Sequence, residues 1–347
     1  MRFLTLALVL AFGVSLSAQA QSLRPSAAER TSIFDDLATK AAQQGTVRVI
    51  VNLDVDWQPE GKQASFAVRR QRALIQTLQE DVLSSLAAPT SVKRFRHTPG
   101  FAAEVSAADL ARLRSARGVA WVQEDVPVAP HDPVQTSVLA PFLSGGSLLP
   151  MMDDTTPLIG ATSMWGAGFD GTGYEVAILD SGVESTHPFL TGKVVAEACF
   201  NLTSAPNSAT TRCPNGMDTQ IGPGAGADCS PSSFAGCSHG THVAGTAAGN
   251  QPAAATGPTS GVAPGADIVA INVFSGFSAA QPVCGGTPCI LSFTSDQILG
   301  LEHVFDLVDT DGRAIVAANM SLGGNSSTTT CDTDSRKPAI DNLLSVG

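Results

Sequence analysis

Three continuous apolar runs limit the folds open to the C-terminal part of this chain. They cover residues 174–179, 268–274 and 314–322. Their apolar residues do not alternate with polar ones, which is typical of strands buried on both faces of a parallel sheet. Helical patterns at 239–248 and 295–308 separate the runs. We therefore predict an α/β domain with a parallel sheet and helices on both faces.

The N-terminal part has a different pattern. Residues 46–56 alternate, with Val47, Val49, Val51, Leu53 and Val55 on one side, which predicts a half-buried strand. The elements that follow are a helix over 63–87, strands at 91–97 and 101–106, a helix over 106–115 and a strand at 118–123. The apolar face of the first helix is predicted from Phe66, Leu74, Leu78 and Val82, and Ser106 is predicted to cap the second helix. The order β-α-β-β-α-β is that of the ferredoxin-like split unit, so we predict a small α+β domain.

Composition changes near residue 130. The net charge of the chain is −11, yet residues 21–130 carry 14 basic and 12 acidic residues, while residues 131–347 carry 5 basic and 19 acidic ones. Residues 126–157 are rich in Pro, Ser and Gly without periodicity, which predicts a linker. A domain this acidic is a poor partner for nucleic acid or an anionic membrane, so neither is predicted as a partner.

The N-terminus is typical of an exported protein. Arg2 precedes an apolar stretch that ends at Ala18-Gln19-Ala20, an A-x-A cleavage pattern. The stretch is short for a membrane span and ends in small residues, so we predict a secretory signal over residues 1–20 and no membrane association after its removal.

The seven cysteines all follow residue 198, and their clustering in an exported chain favours disulfides. We expect Cys284 and Cys289 to close a small loop. An odd count leaves one cysteine without a partner, and Cys331 is the candidate, with a partner expected beyond Gly347.

Two short motifs carry the chemistry. Asp180, in Ile178-Leu179-Asp180-Ser181-Gly182, ends a buried strand, where open α/β sheets place their ligands. His239, in Ser238-His239-Gly240-Thr241-His242, begins a helix of small residues, and an imidazole there suits general-base work. Asp-Ser-Gly alone is usually a turn and a single histidine is usually structural, so the hypothesis depends on the pair.

The flanks of both motifs resemble those of the subtilisin-like serine proteases. The matching segments are AILDSGVESTHPFL, SHGTHVAGT, GVAPGADIVAINVF and NMSLGG, within roughly residues 158–347. The family's chain order is Asp, His, Ser. The resemblance implies that Asp180 and His239 are catalytic, that Ser321, Leu322 and Gly323 bind the substrate backbone, and that proteins or peptides are the substrates.

The N-terminal domain resembles the subtilisin propeptide, which chaperones and inhibits its own protease. This implies a secreted, autoprocessed precursor with a signal at 1–20, a propeptide at 21–129, a linker with the maturation site at 130–157 and a peptidase domain at 158–347. The segment after Asp125 would lie in the active cleft until it is cleaved, within about residues 127–150.

The chain departs from the family in two respects. The nucleophile motif Gly-Thr-Ser-Met-Ala is absent: Ser163 lies in a superficial match ahead of Asp180, and Asn319 belongs to the substrate segment rather than to the oxyanion hole. The serine is therefore expected beyond Gly347, and the 347 residues alone are expected to be inactive. The usual calcium carboxylate is replaced by Phe189 after His187-Pro188, and residues 250–252 lack a good set of oxygen ligands, so neither that calcium nor any cofactor is predicted.

Two other classes stay open at this point. One is a subtilase-like protein that binds peptides without cutting them. The other is a metal site formed by Cys237, His239 and His242, whose residue types suit zinc.

Overall fold

A computed structural model describes residues 24–130, 152–229, 234–251, 258–323 and 331–347. The predicted secretory signal and most of the predicted linker lie outside the described residues. Within the described ranges, no helix has the length and apolar character that crossing a membrane requires.

The N-terminal unit is an antiparallel sheet with helices. Its strands are β1 (Val47–Leu53), β2 (Thr90–Arg94), β3 (Gly100–Val105) and β4 (Val119–Glu124), and its helices are α1 (Ala27–Gln44), α2 (Ser65–Ser85) and α3 (Ala107–Ser115). The strand order is β2-β3-β1-β4, with β1 antiparallel to both β3 and β4. The predicted α+β ferredoxin-like arrangement is confirmed, with α1 added ahead of it.

Helix α1 was not predicted, although its start carries a recognisable signal. The Ser26 hydroxyl accepts a hydrogen bond from the backbone N–H of Glu29, and the Glu29 carboxylate accepts one from the N–H of Ser26. This reciprocal pair is a capping box, which satisfies two of the free N–H groups at a helix start. Ser106 caps α3 as predicted, because its hydroxyl accepts from the N–H of Asp109.

The predicted apolar face of α2 is wrong in part. Phe66 is 69% exposed and Leu74 is 45% exposed, whereas Ile75 and Gln79 are buried. The amide of Gln79 donates to the carbonyl oxygens of Phe95 and Gly100, each at 2.7 Å. These hydrogen bonds allow a polar side chain to be buried, which an apolar pattern alone cannot reveal.

The C-terminal unit contains the predicted parallel sheet. Four of its strands are parallel: β6 (Glu175–Asp180), β7 (Val194–Phe200), β10 (Asp267–Asn272) and β13 (Ile315–Asn319). A fifth strand, β9 (Thr219–Ile221), is antiparallel at the edge, and the strand order is β13-β6-β10-β7-β9. Strand β7 was not predicted, because Glu197 interrupts its apolar run.

Helices cover both faces of this sheet. They are α6 (His239–Ala248), α7 (Thr294–Asp309) and α8 (Lys337–Val346). Ile178 and Ile268 share a cluster with Ala244 of α6, whereas the adjacent Leu179 and Val269 pack with α7. Successive residues of a strand point to opposite faces, so the central strands β6 and β10 are buried on both sides and the predicted α/β class with a parallel sheet is confirmed. The prediction of a doubly buried strand is wrong for β13, in which only Ile315 is buried.

The predicted linker has regular structure at both ends. Strand β5 (Pro127–Val128) joins a small antiparallel sheet of order β5-β12-β11-β8, whose other strands are β8 (Ala209–Thr210), β11 (Ser275–Phe277) and β12 (Cys289–Phe293). Helices α4 (Met152–Leu158) and α5 (Ala161–Gly166) precede β6.

The N-terminal sheet packs its second face against the C-terminal unit. Every residue of β1 is buried, so the prediction of a half-buried strand is wrong. Val49 and Val51 face the unit's own core, but Ile50 belongs to the same cluster as Leu301 and Val304 of α7. The contact with α7 removes from water the face that a lone α+β domain would leave exposed.

Candidate active site

Asp180 is the last residue of β6 and lies at the carboxyl end of the parallel sheet. Its side chain is fully buried, and its Oδ1 accepts a hydrogen bond of 2.7 Å from the N–H of Ser181. The chain then turns at Gly182, whose φ is +91°. A Cβ at this position would lie 2.2 Å from the carbonyl oxygen of Ala227, so both the turn and the close approach require glycine.

His239 is the first residue of α6. Its Nδ1 lies 2.7 Å from Oδ1 of Asp180, and its side chain remains 16% exposed. The next residue, Gly240, explains why small residues follow the histidine. A Cβ on Gly240 would lie 2.3 Å from the carbonyl oxygen of Gly182 and 3.0 Å from the Cβ of Asp180. The absence of a side chain lets α6 approach the end of β6.

The hydroxyl of Ser181 links the turn at residues 180–182, called here the aspartate turn, to the start of α6. It donates to the carbonyl oxygen of Cys237 and accepts from the N–H of Gly240, both at 2.9 Å. The structure therefore brings Asp180 and His239 together, although 59 residues separate them in sequence. A buried carboxylate in this position can fix the tautomer of the imidazole and stabilise its protonated form. Sequence reasoning did not assign Ser181 a role, although it lies inside the aspartate motif.

The predicted substrate segment follows β13. The amide of Asn319 donates to the hydroxyl of Ser321 at 2.9 Å. Leu322 forms an antiparallel bridge with Pro130, and the N–H of Gly323 donates to the carbonyl oxygen of Ala129 at 3.4 Å. The backbone of this segment therefore pairs with an extended peptide, here supplied by the chain itself.

The same extended peptide is held on its other side by β12. Val128 pairs with Ser292 and Pro127 with Phe293. Residues 127–130 thus lie between two antiparallel partners, as a peptide does when it adds a strand to a sheet. Sequence reasoning missed β12, although the run Ile290-Leu291-Ser292-Phe293 is a strand signal.

The disulfides agree with two of the expectations. Cys284 pairs with Cys289 and closes the predicted small loop, and Cys331 is free and exposed. The other pairs are Cys199–Cys213 and Cys229–Cys237. Because Cys237 is bonded to Cys229, it has no thiolate to offer a metal site with His239 and His242.

Ser163 and Phe189 lie apart from this chemistry. Ser163 is exposed on the short helix α5, not at a strand end. Phe189 is 8% exposed, and its ring lies against Gly245 and Gly249 of the α6 region, where a Cβ on Gly249 would approach it to 2.1 Å. A buried ring cannot ligate a hard cation, so this position does not fit the calcium site of the family.

Comparison with known proteins assigns the C-terminal unit. A sequence model of the subtilase family (Peptidase S8) matches residues 171–345. The chain belongs to the subtilase family. This subtilase is similar to the minor extracellular protease Vpr of Bacillus subtilis (strain 168), with 26% identity over 93% of this chain and 36% of that protein. It also matches bacillopeptidase F of the same organism, with 37% identity over 34% of this chain and 7% of the relative.

A solved structure also aligns with the subtilase chain. Fervidolysin from Fervidobacterium pennivorans, described as a keratinolytic enzyme related to subtilisin, gives a TM-score of 0.47 with 20% identity, over 86% of this chain and 38% of that one. The subtilase chain spans little more than a third of the length of Vpr and of fervidolysin, and less of bacillopeptidase F.

Proposed function

We propose that this chain is part of a secreted serine endopeptidase made as an autoprocessed precursor. The observation that carries the proposal is the 2.7 Å contact between Nδ1 of His239 and Oδ1 of the buried Asp180 at the carboxyl end of a parallel sheet. Family membership supports it, because a general base oriented by a carboxylate is what a nucleophilic serine requires.

In this proposal His239 takes the proton of a serine through Nε2 and later gives it to the leaving amine. Asp180 holds the proton on Nδ1 and stabilises the imidazolium that forms. The nucleophile motif of the family is not found in the 347 residues, so the proposal places the serine and the oxyanion asparagine in a part of the whole protein that follows Gly347. The 347 residues alone would then be inactive.

Protein or peptide substrates would bind as an added strand. The segment 127–130 supports this mode, because its backbone pairs with Leu322 and Gly323 on one side and with β12 on the other. Main-chain pairing is independent of side-chain identity, so it suits an endopeptidase that accepts many sequences.

Residues 21–129 would act as the propeptide. Two observations support this role: the second face of their sheet is buried against α7, and the segment 127–130 at their C-terminal end pairs with Leu322 and with β12, where we propose that substrates bind. An inhibitor that fills the groove of its own protease keeps the precursor inactive until the linker is cut. The predicted signal at 1–20 and the three disulfides support export into an oxidising compartment.

Fluorophosphonate labelling of the whole secreted protein tests the proposal, with mass spectrometry to map the modified peptide. We expect labelling on a serine that follows Gly347, and no labelling of a folded His239→Ala variant. A folded wild-type protein that is not labelled but still binds peptides would support the alternative, a subtilase-like binding protein without catalysis.

A further inference from the structure

The Cys229–Cys237 disulfide joins the two chain segments that support the Asp180–His239 pair. Cys237 lies two residues ahead of His239, and Cys229 follows a segment, residues 226–228, that lies on the aspartate turn. The two cysteines are only 3% and 1% exposed, and both belong to the main apolar cluster of the C-terminal unit.

One end of the disulfide is attached to the aspartate turn by hydrogen bonds and packing. The N–H of Val183 donates to the carbonyl oxygen of Gly226 at 2.8 Å. The amide of the buried Asn272 donates to the carbonyl oxygens of Ser181 and Ala227, each at 3.1 Å. Residues 226–228 are therefore fixed relative to the turn that carries Asp180.

The other end is attached to the start of α6. The carbonyl oxygen of Cys237 accepts from the hydroxyl of Ser181, and the N–H of His239 donates to the carbonyl oxygen of Gly236 at 3.0 Å. Ser238, the N-cap residue, makes no side-chain capping bond within the described structure. Because the N-cap residue does not cap the first turn of α6, other groups hold it: the hydroxyl of Ser181, the hydroxyl of Thr241, which accepts from the N–H of Glu184 at 2.9 Å, and the covalent link through Cys237.

We infer that the Cys229–Cys237 disulfide is a positioning element for the catalytic pair, an inference that rests on the proposed function. It joins the support of Asp180 to the support of His239 across a sequence separation of 8, whereas the two catalytic side chains themselves are 59 residues apart. The disulfide limits their relative movement, and a small displacement of either would lengthen the hydrogen bond on which general-base catalysis depends. A misplacement of about 1 Å in an active site can lower the rate about a hundredfold.

The experiment compares two disulfide deletions in the whole protein. The test variant is C229A/C237A, with alanine because both sulfurs lie in an apolar cluster. The matched control is C199A/C213A, which removes the disulfide between β7 and the loop after β8. The sequence separation of Cys199 and Cys213 is 14, and that of Cys229 and Cys237 is 8. Because a disulfide that closes a longer loop stabilises a protein more, the control should lose at least as much stability as the test variant. Both are assayed for kcat and KM, for melting temperature, and by NMR for the downfield Nδ1 proton that reports the Asp180–His239 hydrogen bond.

We expect C229A/C237A to lower kcat about ten- to a hundredfold with little change in KM, and to broaden or remove the downfield proton signal. The control should keep kcat and the signal close to wild type despite its lower melting temperature. Equal kcat and equal NMR signals in both variants would overturn the inference and leave the proposed function intact. A wild-type protein with the downfield signal but no hydrolase activity, in which only the test variant loses the signal, would support positioning and contradict the proposed function.

Failure to fold is also informative. If C229A/C237A does not accumulate, the experiment uses C229V/C237V instead, because valine fills more of the volume that the two sulfurs occupied. If neither test variant folds while the control does, the disulfide is a requirement for folding, and the positioning inference is wrong.

Discussion

At the scale of single residues, one hydrogen bond decides what the site can do. Asp180 is fully buried, and burying a carboxylate costs free energy unless hydrogen bonds compensate it. The imidazole of His239 and the N–H of Ser181 both contact its Oδ1, whereas Oδ2 has no hydrogen-bond partner among the described residues. The same contact holds the imidazole in the tautomer whose other nitrogen can accept a proton. In the proposed mechanism, catalysis and the burial of Asp180 therefore both depend on the contact between Nδ1 of His239 and Oδ1 of Asp180.

Replacing Asp180 by asparagine should preserve the fold and remove most of the activity. The amide has similar size, but it can donate to Nδ1 and so favours the wrong tautomer of His239. We expect kcat/KM of the whole protein to fall by about 10⁴-fold, with loss of autoprocessing. Asp311→Asn, on an exposed turn after α7, is the matched control and should behave like wild type. Normal processing in Asp180→Asn would contradict the assignment of this residue.

Gly240→Ala tests the close approach of α6 to β6. The added methyl would meet the carbonyl oxygen of Gly182 at 2.3 Å, so the helix must shift. We expect the free energy of unfolding to fall by about 1–3 kcal/mol and kcat/KM to fall with it. Gly166→Ala is the control, since no described atom lies within 4 Å of its added Cβ. Chemical denaturation and a peptide assay measure both effects, and an unchanged Gly240→Ala enzyme would show that the contact is not required.

At the scale of elements, α7 organises the contact between the two units. The carboxylate of Glu302 accepts three successive backbone hydrogen bonds, from Arg96, His97 and Thr98, at 2.7–2.8 Å. At the start of the same helix, the N–H of Ser295 donates to Asp125 of the N-terminal unit. Helix α7 therefore covers one face of the parallel sheet and also provides the polar contacts that hold the N-terminal sheet.

Glu302→Ala should weaken the inhibition that we propose for the N-terminal unit. It removes the acceptor for two buried N–H groups, those of His97 and Thr98, and for the partly buried N–H of Arg96, which would then be left unpaired when the units associate. We expect residues 21–130, added in trans to the mature enzyme, to inhibit the variant at least about a hundredfold less well. Glu302→Gln keeps one carbonyl acceptor, so the inhibition constant for this variant should lie between those of the wild type and Glu302→Ala. Hydrolysis of a small peptide should stay near wild type, and an unchanged inhibition constant would contradict this role for Glu302.

Some of these elements could be predicted from the sequence and others could not. The end of β6 and the start of α6 were predictable because glycine and small residues are required there for steric reasons. The second face of β1 was not, since it is buried by a unit distant in sequence. The apolar run of β12 is visible in the sequence, but its pairing with residues 127–128 is not, and neither is the hydrogen bond from Gly240 to Ser181, because both join segments that are distant in sequence.

At the scale of the whole molecule, buried charged groups connect the two units. Arg48 pairs with Asp125 and donates to the hydroxyl of Ser295, while Lys93 pairs with Asp296 of α7. Such contacts cost desolvation energy and depend strongly on geometry, so they favour one docked arrangement more than they add affinity. A contact of this kind can also be released by a change in protonation.

His97 makes this contact sensitive to pH. Its ring is fully buried between Glu60 of its own unit, at 3.1 Å, and Asp306 of α7, at 3.0 Å. Burial alone would lower the pKa of His97, but the hydrogen bonds to Asp306 and Glu60 and the charge of Glu302 outweigh it and raise the pKa to about 9. The charged imidazolium therefore stabilises the contact between the two units fully below the ordinary pKa of 6.5. This stabilisation is lost as the pH rises through about 9, the pKa of His97 in the folded protein.

Inhibition in trans should consequently weaken with alkaline pH. Because one proton is involved, the inhibition constant of residues 21–130 should rise by at most about tenfold per pH unit between pH 7 and 9 and level off above. His97→Gln cannot carry the charge, so it should inhibit less well at pH 7 and show a flatter pH dependence. The measurement is the inhibition constant at each pH, with the stability of the isolated N-terminal unit followed by circular dichroism. If the inhibition constants of the wild-type unit and of His97→Gln change in parallel with pH, a group other than His97 controls dissociation of the N-terminal unit. If only the wild-type unit inhibits less well at alkaline pH, the protonation of His97 controls that dissociation.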